Sequence, residues 1–116
     1  MSLSPAVEIH FLLDSSGALI VFQEKNASWV GVLGFTTEEN AREFCRVSNL
    51  DAAEIASISV GDREAIAALI KSVKHRAVRN LLLDLDYKTG ACTQIEFDGD
   101  ALGIAAPRQL TPPNSH

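Results

Sequence analysis

The stretch Leu81-Leu-Leu-Asp-Leu-Asp-Tyr-Lys-Thr-Gly-Ala-Cys-Thr-Gln-Ile-Glu-Phe97 decides the fold. Before its glycine the odd positions Leu81, Leu83, Leu85 and Tyr87 are apolar. After it the odd positions Ala91, Thr93, Ile95 and Phe97 are mostly apolar too. Residues that face each other across an antiparallel pair lie on one side of the sheet. Odd can face odd only across a loop with an odd number of residues. A two-residue Thr89–Gly90 turn would set Leu83 and Leu85 against Glu96 and Gln94. The pattern therefore predicts the loop Lys88–Thr89–Gly90, with Gly90 in the left-handed position after a type I turn. The outer face of this hairpin would carry Asp84, Asp86, Cys92, Gln94 and Glu96.

Upstream, Val7, Ile9, Phe11 and Leu13 alternate with Glu8, His10 and Asp14, which predicts a half-buried strand over 7–14. Ser15–Ser16–Gly17 is a turn, and 18–22 reads as the return strand. A third strand, 29–35, contains Gly31 and Gly34, residues that in a strand mark a bulge or a close backbone approach. Thr36 and Glu39 have capping-box spacing and predict a helix start. Glu38 and Glu39 suit the positive end of that helix, and Ala41, Phe44 and Cys45 line its inner face. Residues 55–60 read as a short strand. Asp62 then caps a helix over 63–75 that buries Ile66, Leu69, Ile70 and Val73.

The elements run β-β-β-α-β-α-β-β. That order implies an α+β fold, a single mixed or antiparallel sheet with two helices packed on it. A leader over 1–6 and a flexible, proline-containing tail over 103–116 flank one domain over 7–102.

Composition narrows the function. The chain has 116 residues, 47% of them hydrophobic and 22% charged, enough for one core and too apolar for disorder. Fifteen Asp and Glu against ten Lys and Arg give a net charge of −5, which argues against a nucleic-acid footprint. No apolar run is long enough to span a bilayer. No export signal stands at the N-terminus, so a cytoplasmic location with reduced Cys45 and Cys92 is expected.

Motifs for chemistry are sparse. Neither a dinucleotide-binding glycine fingerprint nor a P-loop occurs. His10, His75 and His116 are scattered, and no C-x-x-C or H-E-x-x-H supplies a metal site. No nucleophile elbow is present, and neither cysteine has a histidine partner nearby in sequence. Lys71, Lys74, His75, Arg76 and Arg79 form a cationic group that suits a helix C-terminus. Asp98–Gly99–Asp100 reads as a turn. No cofactor, metal or catalytic residue is expected.

Asp14-Ser-Ser-Gly17, followed by strands and then Gly34-Phe-Thr-Thr-Glu-Glu-Asn-Ala-Arg-Glu-Phe44, resembles the pattern of SseB-like domains (enhanced serine sensitivity protein B). The likeness runs from about 7 to 97 and includes the short strand at 55–60 and the second helix. It departs at Asp84–Leu85–Asp86, where that family often has Asn-Pro. The resemblance implies a small α+β domain without established catalysis.

These readings lead to a non-catalytic interaction or regulatory module that pairs with a protein partner or with a second copy. Its candidate contact residues are Asp84, Asp86, Gln94 and Glu96, set as one acidic face that would steer a basic partner. A toxin-neutralising immunity protein and a small-molecule-binding domain are the alternatives.

Overall fold

Alternation of apolar residues on both faces of the same strands sets the architecture. The computed structural model describes residues 4, 6–23, 30–52 and 54–110. It contains β1 (Glu8–Leu13), β2 (Val21–Gln23), β3 (Val30–Phe35), α1 (Glu38–Ser48), β4 (Glu54–Ser59), α2 (Arg63–Lys74), β5 (Val78–Leu83), β6 (Ala91–Asp98) and β7 (Ala101–Gln109). One mixed sheet runs β4-β1-β3-β5-β6-β7, with β2 beside β3. Among the described residues the single parallel pair is β3–β5, and every other strand pairing is antiparallel. The α+β fold with two helices on one sheet is as expected, with a ninth element, β7, added.

Successive strand residues enter two different cores. Ile9, Phe11, Val32, Leu81, Leu83 and Ile95 pack with Ile66, Leu69, Ile70 and Val73 of α2. Leu12, Leu33, Phe35, Leu82 and Cys92 pack with Ala41 and Phe44 of α1. Neighbouring strand residues point to opposite sides, so the helices sit on opposite faces and the sheet is the middle layer. Leu12 is fully buried, so β1 is not the half-buried strand that its sequence suggests. Gly34 lets the strands close up: a Cβ there would lie 2.8 Å from Ile9 Cγ2 and 2.9 Å from Leu81 Cδ1.

Several local expectations change. Residues 18–20 do return antiparallel beside the end of β1, with Asp14 N donating to Ala18 O and Ile20 N to Leu12 O. β2 itself pairs with β3 and not with β1. β1 and β2 both pair antiparallel with β3, β1 at residues 34–35 and β2 at 30–32, so they follow one another along the same side of it. The intervening residues make a small protruding loop closed by the Leu13–Leu19 bridge. Asp14 Oδ1 organises that loop by accepting from Ser16 N, Ser16 Oγ and Ala18 N. Trp29, expected to start β3, lies outside the described residues.

The α1 cap is Thr37, whose hydroxyl accepts from Asn40 N at 3.0 Å, not Thr36. Asp62 caps α2 as expected, accepting from Ala65 N.

Residues 103–110 are not part of the expected flexible tail. β7 pairs with β6 through Gln109, and Leu110 is buried against the α1 core. Residues 111–116 of that tail, and most of the 1–6 leader, lie outside the described residues. Pro107 is compatible with a strand for a geometric reason. Leu110 N donates to Gly90 O, which turns the backbone groups of even-numbered residues toward β6. Pro107, paired with Thr93, therefore faces its missing N–H outward, where a sheet edge tolerates it.

Candidate functional site

The hairpin that was to carry an acidic face has a different register. The observed pairs are Asn80–Glu96, Leu81–Ile95, Leu82–Gln94 and Leu83–Thr93. Odd does face odd, as the pattern requires. The ladder is nevertheless shifted by two residues, because β5 ends at Leu83 and residues 84–90 all lie in the connection. Asp84 breaks the strand with φ 55, a left-handed conformation that Asp adopts more readily than most residues. Its carboxylate accepts from Thr36 N at 2.9 Å and Thr36 Oγ1 at 2.7 Å, with Asn40 Nδ2 at 3.4 Å. Asp84 thus pins the end of β5 to the segment entering α1. Asp86 Oδ1 accepts from Lys88 N and Thr89 N, a side-chain-closed turn that leads to Gly90 at φ 80.

Asp84 and Asp86 therefore do not stand beside Gln94 and Glu96. They rim a cleft of about 310 Å³ at the C-terminal ends of β3 and β5, with Phe35, Asn40, Glu43, Phe44, Tyr87 and Lys88. Ends of parallel strands are where open α/β sheets bind ligands. Here both carboxylates are engaged in building the loop. Phe44 stacks edge-on against Tyr87 at 5.7 Å and fills the floor.

Gln94 and Glu96 belong to another surface. On the α1 side of the sheet, α1 packs on β1 and β3. Among the described residues, the neighbouring area over β5, β6 and β7 carries a polar ladder instead of a helix. Arg108 Nη1 donates to Gln94 Oε1 at 2.8 Å, and Gln94 Nε2 donates to the buried Asn80 Oδ1 at 2.8 Å. Glu96 is exposed at one end of this ladder.

Beside Glu96, the β6–β7 register shifts between Ile95 and Phe97. Leu102 and Ala105 both reach the α2 core although they are three residues apart. The bulge absorbs the extra residue and turns Ile104 to the opposite side. There it lines a shallow depression with Gln94, Glu96 and Ala106. Ile104 is 72% exposed, the one large hydrophobic so exposed among the described residues.

Sequence reasoning missed Asn80, Ile104 and Arg108. Gly99–Asp100 followed by an apolar run was the available signal, since a Gly-Asp pair marks a two-residue hairpin turn. Asp98 indeed pairs with Ala101 across a two-residue turn, with Gly99 at φ 61.

Other polar groups are held structurally. Lys71 and Lys74 reach Asp100, and Arg76 Nη1 donates to Leu19 O, which uses much of the expected cationic group. His10 Nδ1 and Ser57 Oγ form a solvent-facing cross-strand hydrogen bond of 2.7 Å. Burial pushes the Cys45 thiol up from its ordinary value, opposite to what an activated nucleophile needs. Among the described residues no cluster of His, Cys, Asp and Glu is arranged to hold a metal. No helix among them is long and apolar enough to cross a membrane. Comparison of the chain with protein-family models, curated proteins and solved structures found no match.

Proposed function

We propose that this protein is a non-catalytic interaction module that binds a protein partner through the open sheet face over β5, β6 and β7. The observation that carries the reading is Ile104, 72% exposed beside a hydrogen-bonded polar ladder on a face that neither helix among the described residues covers. An apolar centre with a satisfied polar surround is the usual composition of a protein-binding patch. Full burial of an isoleucine contributes about 1.5–3 kcal/mol, enough to make it an anchor. The resemblance to SseB-like domains implies a small α+β domain without established catalysis and supplies no site of its own. Of the four residues first assigned to the contact, Gln94 and Glu96 stay in this proposal. Asp84 and Asp86 leave it as builders of a loop.

The test is a photo-crosslinking amino acid at Ala106, compared with one at Ser57 on β4. The expected result is a protein adduct from position 106 that Ile104→Glu abolishes. Adducts from position 57 alone, or adducts at 106 indifferent to Ile104→Glu, would overturn the proposal.

A further inference from the structure

We infer that the partner on this open face is a second copy of the same chain, stacked face to face about a two-fold axis. The inference rests on the interaction reading above and adds the identity of the occupant. Its basis is the order of side chains along β6 and β7. Glu96 and Ile104 stand at one end, Arg108 at the other, and the pair Gln94–Ala106 lies midway. In an isologous contact each residue meets the position related to it by the axis. Consider an axis between the two faces, perpendicular to the strands and level with Ala106. It brings Arg108 of each copy over Ile104 of the other, beside the other copy's Glu96. Two opposite-charge pairs form from one chain's own residues, one at each end.

The sizes agree with this arrangement. Stacked sheets lie about 10 Å apart, and four residues of strand span about 13 Å. Ala106 at the centre permits close approach. The long Arg108 and Glu96 side chains at the ends can meet across the gap, while the Arg stem covers Ile104. Arg108 keeps its bond to Gln94 in this geometry, which holds the guanidinium on the face.

Edge-to-edge pairing through β7 is the competing mode. Pro107 opposes it, because its outward position lacks the donor that a continued ladder requires. Three strands present a small footprint, at the low end of interface sizes. The self-association is therefore weak and depends on concentration.

Sedimentation velocity on the full chain from micromolar to millimolar protein tests the inference. The wild type should shift from monomer toward dimer, and high salt should reverse the shift. Arg108→Glu, which sets Glu against Glu, should weaken association at least ~10-fold. The double exchange Glu96→Arg with Arg108→Glu should restore it to within ~3-fold, because the pairs re-form with reversed sign. Matched thermal unfolding of the wild type and both variants excludes misfolding as the cause.

A wild type that stays monomeric throughout, or a double exchange that fails to restore association, overturns the second copy as occupant. If the Ala106 photo-adduct with a different protein, abolished by Ile104→Glu, survives that outcome, the interaction reading stands alone. If Ile104→Glu alters neither association nor adduct, both fall.

Discussion

Asp84 combines two properties that a sequence shows only separately. It is acidic, and it tolerates positive φ. Alternation along β5 places it on the outer face of a strand, whereas its carboxylate turns to Thr36 and its backbone leaves the ladder. Asp84→Ala removes both hydrogen bonds and places a β-carbon in the left-handed region. The expected cost is about 2–4 kcal/mol, from hydrogen bonds to a charged acceptor and left-handed strain. Asp84→Gly loses the same bonds without the strain, so it should be less destabilised than Ala by about 1 kcal/mol in urea unfolding. Equal midpoints would show that the backbone at 84 is relaxed.

Asp14 gives a pH-dependent counterpart. The Ser16 hydroxyl, followed by the Ala18 and Ser16 amides, holds its carboxyl below the ordinary aspartate value. A depressed folded pKa stabilises the fold above the unfolded pKa, and that stabilisation is lost as pH falls through the folded pKa. Stability curves of wild type and Asp14→Asn should therefore differ at neutral pH and converge at strong acid, below the usual aspartate range near 3.9. Parallel curves across that range would contradict the assignment.

At the level of elements, local signals were legible wherever neighbours in sequence set the structure. The Asp62 cap, the inner face of α2 and the odd parity of the β5–β6 hairpin all follow from spacing alone. Elements determined by distant partners were not. The α1 cap moved from Thr36 to Thr37 because Asp84, far along the chain, takes the Thr36 hydroxyl. β1 and β2 share one side of β3, an arrangement that no local turn residue specifies. β7 was hidden by Gly103 and Pro107, residues that ordinarily depress strand propensity. Each has its own explanation in the sheet. Pro107 points its missing donor outward. Gly103 lies so close to β6 that an added Cβ would be 2.6 Å from Glu96 O, a backbone atom that cannot swing away. Gly103→Ala should cost about 1–3 kcal/mol through displacement of the bulge. It should also move the Ile104 and Glu96 amide resonances in a heteronuclear NMR spectrum. An unshifted spectrum would mean that the bulge does not depend on this contact.

For the molecule as a whole, the sheet separates two cores and β7 reaches both. Leu102 and Ala105 pack on the α2 side, while Leu110, just past the strand, is 2% exposed on the α1 side. The candidate site was half legible for the same reason. Gln94 and Glu96 lie on the strand that was read correctly, but Ile104 and Arg108 lie on the strand that composition made look like a tail. A tail and a closing strand make opposite predictions for Leu110. In a tail, Leu110→Ala changes an exposed residue and shifts stability by less than ~0.5 kcal/mol. In the structure it empties a site walled by the α1 core, and comparable Leu→Ala changes cost about 2–5 kcal/mol. A domain of this size holds about 5–15 kcal/mol in total, so the loss should appear as a large fall in the denaturant midpoint. Trypsin access adds a second readout. Arg108 lies in β7, and its backbone is paired with Cys92, so cleavage after it requires that strand to detach. Cleavage there should be slow in the wild type and markedly faster in Leu110→Ala. Rapid cleavage of the wild type, together with an unchanged midpoint in the variant, would remove β7 from the fold and with it the open face on which the binding proposal stands.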